Sequence, residues 1–240
     1  TAYEIMPSLV GSEMCIRDSY RHRVLVIKDQ TCGEMPYLEF GRQWGEPIPH
    51  VIDTHRMLGY PEMLEIGNVT ARAKDKLLRN SAAFWHTDQA YDADPATTTM
   101  LYARKVPELG GETLVVDMKA AYDDLDAATK QKIDGLKAKH LYGATSGRGG
   151  EEPTRALNKA QAAATPPTLH PLVRPHTVTG QKALYGVAGT AYGIEGIAAD
   201  DADRLISDLK AHCLQDKFIY EHKYTAVSYT HLTLPTILLV

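Results

Sequence analysis

Short apolar runs separated by turn residues set the pattern of this chain. Val24-Leu25-Val26-Ile27 is apolar and β-branched and predicts a buried strand. Residues 34–44 place Met35, Leu38, Phe40 and Trp44 near helical spacing and predict a helix, which Gly45 and Pro47 end. Further strands are expected over 63–66, 84–88, 97–102 and 113–116, with a turn at 107–111 and a polar, basic loop at 71–80. Asp117 and Asp126 stand where N-caps belong, ahead of a helix starting at Met118 and a second running toward Leu136. Residues 140–142 read as a short extended piece. Residues 143–167, rich in Gly, Ala, Thr and Pro, read as a long excursion of the kind that often forms a lid. Residues 169–176 and 182–186 flank Val178-Thr179-Gly180-Gln181, a hairpin signal. Asp200 or Asp201 is expected to cap a helix that carries Leu205, Ile206 and Leu209 on one face, and 218–224 alternates like a strand. Many short strands with helices at the edges predict an α+β fold, mainly β: a jelly-roll, or double-stranded β-helix, core with flanking helices.

Composition narrows the class. The chain has 240 residues, 44% hydrophobic and 23% charged, with a formal net charge of -4. That is ordinary for a soluble globular protein, and no basic patch with interleaved aromatics suggests nucleic acid as a partner. The 3 cysteines, Cys15, Cys32 and Cys213, have no paired spacing, which fits a reducing, cytoplasmic compartment. No run is long enough to cross a bilayer, no signal peptide is read at the start, and no glycine-rich loop opens a helix to hold phosphate.

The chemistry lies in Trp85-His86-Thr87-Asp88 and, after an interval, Gly110-Gly111-Glu112-Thr113. On a strand, an imidazole and a carboxylate two residues apart point to the same face. Two histidines and one carboxylate on one face of a metal leave positions for a cosubstrate and oxygen, as in non-haem Fe(II) oxygenases. His86 and Asp88 supply two of those three groups.

Together with Phe40-Gly41-Arg42-Gln43-Trp44-Gly45-Glu46 and His170-Pro171-Leu172-Val173-Arg174, these motifs resemble the family of taurine dioxygenase and 2,4-dichlorophenoxyacetate dioxygenase. The resemblance runs from about Val24 to Tyr224. It implies a jelly-roll oxygenase dependent on Fe(II) and 2-oxoglutarate, which oxidises a small organic substrate with molecular oxygen and releases succinate and CO2. It also implies that His86 and Asp88 are metal ligands, that the Thr113 hydroxyl binds a carboxylate of 2-oxoglutarate, and that His50 contacts substrate. Family members often associate, so a homo-oligomer is within expectation. Ala82 and Asp53 stand where taurine-type members carry an asparagine and a tyrosine, and both changes disfavour taurine. His170, Arg174 and His176 belong to the family pattern without an assigned chemistry.

The resemblance also sets an expectation for the ends. After Tyr224 the family pattern continues toward a distal metal histidine and an arginine that pairs with 2-oxoglutarate. Here Val227 to Val240 follows no such pattern, and His231 falls too early in it. Residues 1–19 and 227–240 therefore read as foreign-looking segments around an oxygenase-like domain at 20–226. The core is expected to be incomplete, with an exposed strand edge, and the chain as it stands is expected to lack appreciable oxygenase activity. Alternatives are a non-catalytic jelly-roll binding protein, a fragment with an incomplete metal site, or a metal-dependent hydrolase using the same two ligands.

Overall fold

The computed structural model describes residues 2–5, 12–66, 84–144, 157–224, 228–233 and 236–239. In chain order the described strands and helices are β1 (Ala2–Ile5), α1 (Ser12–His22), β2 (Val24–Ile27), α2 (Glu34–Arg42), β3 (Arg56–Met57), β4 (Tyr60–Leu64), β5 (Thr98–Ala103), β6 (Thr113–Asp117), α3 (Met118–Asp124), α4 (Ala127–Ile133), β7 (Lys137–His140), α5 (Lys159–Ala164), β8 (Thr168–Pro171), β9 (Val173–Pro175), β10 (Lys182–Leu184), β11 (Ala191–Ile194), α6 (Ala199–Cys213), β12 (Ile219–His222), β13 (Ser228–Thr233) and β14 (Thr236–Leu239). Short 3₁₀ turns precede β3 and β12.

Helices surround sheets that are antiparallel except where β1 runs parallel to β2. One sheet has the order β1-β2-β13-β5, a second β12-β6-β14 and a third β11-β7-β8. The two faces of the first sheet separate by residue parity. Leu25, Ile27 and Tyr102 pack with Cys15 of α1 and with Tyr37, Phe40 and Trp44 on and after α2. Val24, Val26 and Leu101 face the other way and meet Val115 and Tyr220 from the second sheet. The largest core cluster lies beyond, where α3, α4 and α6 pack against β7, β10 and β11.

Several local expectations hold for the anticipated reasons. The Asp117 carboxylate accepts from the backbone N–H of Lys119 and Ala120, and Asp126 from that of Thr129. The β9–β10 hairpin forms, with Gly180 at φ 68, where a Cβ would be unfavourable.

Other expectations are corrected. Residues 84–88 are not a strand: His86 makes an isolated bridge, and the chain turns from Asp88. The strand expected at 63–66 is β4, which begins at Tyr60 and pairs with β3. Helix α4 ends at Ile133, three residues short of Leu136, because Gly135 takes φ 75. Neither Asp200 nor Asp201 caps α6. Ala198 is the cap residue, and both carboxylates sit in the first turn, where they favour the helix through its dipole. Helix α5 was not expected. It rests on a reciprocal cap between Asn158 and Gln161.

The expected open edge is filled. β13 pairs antiparallel with both β2 and β5, and β14 pairs with β6. At the other end, α1 buries Cys15 and Ser19 fully. The basic loop at 71–80, Ala82 and much of the expected lid lie outside the described residues.

Candidate metal and cosubstrate site

His86 and Asp88 converge although the segment is not a strand. His86 Nε2 lies 3.1 Å from Asp88 Oδ1. Each side chain is fixed from behind by its remaining polar atom. His86 Nδ1 is 2.7 Å from the Phe84 carbonyl, to which it donates its proton, so Nε2 is the nitrogen directed toward Asp88. Thr99 of β5 donates to Asp88 Oδ2 at 2.6 Å, leaving Oδ1 to face the imidazole. Burial works against ionisation of Asp88. The close His86 ring, the hydrogen bond from Thr99 and the His50 ring outweigh it, and the carboxyl is held below its usual range.

This geometry suits a divalent metal. Two ligand atoms on adjacent vertices of an octahedron, with bonds of ~2.0–2.2 Å, stand ~2.8–3.1 Å apart. The observed 3.1 Å matches that edge. A ring Nδ1–H bound to a carbonyl and a second carboxylate oxygen bound to a hydroxyl are the outer contacts that hold such ligands in orientation.

Gly189 fixes the approach to His86. It sits at φ 67, and a Cβ built there would lie 2.9 Å from the His86 Cβ and 3.2 Å from its Cα. Gly189→Ala therefore combines an unfavourable backbone conformation with a collision against the backbone of the metal-type turn. We expect the substitution to lower stability by about 1–3 kcal/mol. Chemical denaturation measures that loss.

Thr113 opens β6 and is fully buried. Its side chain shares a face with Val115, which meets Val26 and Leu101 between the first two sheets, and Leu101 shares a face with Thr99. Thr113 and the Thr99–Asp88 contact thus project into the same inter-sheet layer. The Thr113 hydroxyl lies 2.8 Å from the Tyr224 hydroxyl.

His50 follows α2 in a loop. Its Nδ1 accepts from the backbone N–H of Ile52 at 3.0 Å, and its ring stacks on His55 with centroids 5.0 Å apart. Burial lowers its pKa, against the opposing pull of the Ile52 contact and the Asp88 charge. Tyr142 stands edge-on to both His50 and Tyr91, which links this loop to the turn after Asp88. Asp53 is exposed and accepts from the backbone N–H of Thr54 and, at 3.4 Å, from Gln161 of α5. Its carboxylate ties the loop to a helix.

No third histidine, cysteine or carboxylate completes a metal cluster among the described residues. His231 is in register with Leu25 and Met100, whereas Thr99 is in register with Leu232. Thr99, Gly189 and Tyr224 were not picked out from the sequence. Thr99 sits in a threonine-rich strand that reads only as β-forming, and the others touch their partners across long stretches of chain.

A carboxylate and an imidazole thus meet at 3.1 Å, and a buried hydroxyl projects into the same inter-sheet layer. The family model for taurine catabolism dioxygenases, the TauD/TfdA family, matches residues 14–226, and the chain belongs to that family. A 2,4-dichlorophenoxyacetate dioxygenase dependent on alpha-ketoglutarate (2-oxoglutarate), from Burkholderia sp. strain RASC, is 31% identical over 84% of this chain and 70% of its own. The crystal structure of AAD-2 with Mn(II) and N-oxalylglycine superposes with a TM-score of 0.77 at 25% identity, covering 98% of this chain and 81% of that one. A taurine dioxygenase from Burkholderia xenovorans shares the fold, with a TM-score of 0.76 at 23% identity over 99% of this chain and 78% of that one. By family the chain is an enzyme, a dioxygenase that takes Fe(II) and 2-oxoglutarate as cofactor and cosubstrate, with oxygen and a small molecule as reactants. No helix among the described residues is long and apolar enough to cross a membrane.

Proposed function

We propose that His86 Nε2 and Asp88 Oδ1 hold the iron, that Thr113 receives a carboxylate of 2-oxoglutarate, and that His50 lines the substrate side. The observation that carries this reading is the 3.1 Å separation of the two donor atoms, each oriented by a partner on its far side. Bound Fe(II) supplies oxygen activation coupled to oxidative decarboxylation of the 2-oxo acid. The chain supplies placement. The Phe84 carbonyl keeps the His86 proton on Nδ1, Thr99 turns Asp88, and the buried Thr113 hydroxyl offers a donor to an anion in a layer walled by Val115 and Leu101. The two facing sheets support a jelly-roll core spanning residues 20–226, and 3 cysteines without paired spacing fit a cytoplasmic location. The substrate is a small organic molecule other than taurine, and self-association fits the family.

The chain itself is a weak catalyst in this reading, because the described residues give the metal two ligands, His86 and Asp88. The test is iron-dependent succinate formation from 2-oxoglutarate. The chain should produce little. A version in which residues 227–240 are replaced by a family-type continuation, with a distal histidine and arginine, should produce at least about tenfold more, since a lost ligand or bidentate partner costs well over 1.4 kcal/mol. Equal turnover by the two would show that the site is completed from within the chain itself.

A further inference from the structure

We infer that His170, from the His-Pro-x-x-Arg motif left without a chemistry, is the positioning residue that holds the metal-binding turn at its exit. This rests on the reading of His86 and Asp88 as ligands.

The turn after Asp88 is strained. Gln89 takes φ 52, a left-handed conformation that a residue with a Cβ rarely adopts. Such a residue persists only where the surroundings over-determine it. Two local hydrogen bonds close the turn, from the backbone N–H of Ala90 to the Thr87 carbonyl at 3.3 Å and from that of Asp92 to the Gln89 carbonyl at 2.9 Å. The first is long, so local bonding alone constrains the turn poorly.

His170 provides the non-local contact. It lies on β8, 78 residues further along the chain, and its Nε2–H donates to the Asp92 carbonyl at 2.8 Å. The ring is 5% exposed and cannot swing away, because Tyr185 stands edge-on to it at 5.4 Å and His140 lies at the same distance. β8 is in turn paired along its length with β7. A sheet-borne, packed imidazole thus pins the last carbonyl of a turn whose first residue is Asp88. Release of that carbonyl would let Gln89 relax and carry Asp88 away from His86.

The test uses the full chain and Mn(II), with bound metal read from the loss of the free-ion EPR signal and folding read from the thermal midpoint. His170→Leu and His170→Phe remove the donor, the second while filling the space. His170→Gln keeps an N–H near the Nε2 position. His86→Ala is the control for the site. The donorless variants that retain a cooperative thermal transition should bind Mn(II) about tenfold more weakly or worse, the loss typical of an outer partner of a metal ligand, and His170→Gln should remain within about threefold of the parent. Unchanged binding in a donorless variant, or binding by His170→Gln as weak as by His170→Leu, overturns the inference. Unchanged binding by His86→Ala overturns the site reading, and this inference with it.

Discussion

Replacing His86 or Asp88 by alanine should reduce Mn(II) affinity by at least about a hundredfold. Loss of an outer partner costs a metal site about 10–100-fold, and loss of a ligand removes the bond itself. The effect should be large in both variants, because each donor is pre-oriented by a contact that survives the other's removal: Phe84 for the imidazole and Thr99 for the carboxylate. Thr99→Val gives a graded result. Asp88 then loses the hydroxyl on Oδ2 but keeps its charge, so affinity should fall less than in Asp88→Ala. Titration with Mn(II) measures all three. A parent-like affinity in either alanine variant would move the metal elsewhere.

The second large effect is acid lability centred on His140. This imidazole is fully buried on β7. Its Nδ1 meets the Thr190 hydroxyl at 3.0 Å, while Nε2 has no hydrogen-bond partner among the described residues. Gly186 packs so closely that a Cβ there would lie 2.5 Å from the ring. Burial, with the charge of His170 adding to it, pushes the His140 pKa down to about 3. An unfolded histidine titrates near ~6.5, so the unfolded chain binds the extra proton first. The stabilising contribution of neutral His140 is complete above pH ~6.5 and is lost progressively as pH falls toward about 3. Between pH 7 and pH 4 that amounts to about 3 kcal/mol. In His140→Asn, whose amide can still reach Thr190, absolute stability should drop because packing is lost. The decline of stability between pH 7 and pH 4 should flatten by about the same 3 kcal/mol. Denaturation curves across that range decide it, and parallel pH profiles for the two proteins would mean that His140 already accepts a proton in the fold.

Much of the fold was legible because its signals are local. Val24–Ile27 is a strand buried on both faces, and an unbroken apolar run says so. Asp117 and Asp126 cap helices because a short carboxylate before a helix can reach backbone N–H groups two or three residues on. The candidate site was legible only as a pair of residue types at fixed spacing, and the reason for their convergence was not. Alternation along a strand suggested one face for His86 and Asp88, whereas the structure uses a bridge, a turn and a left-handed Gln89. Propensity does not register such a turn, because it is held by tertiary contacts from Thr99 and His170. The pairing of β13 between β2 and β5 was equally illegible, since strand order is set by contacts some 130 to 200 residues apart in sequence.

The position of a Mn(II) ion in crystals of the chain, located by its anomalous scattering, tests the metal site most directly. The expected result is one ion ~2.0–2.3 Å from both His86 Nε2 and Asp88 Oδ1, bonds of the length that oxygen and nitrogen ligands make to such ions. An ion bound elsewhere, or one that touches neither atom while His86 and Asp88 remain hydrogen-bonded to each other, would contradict it.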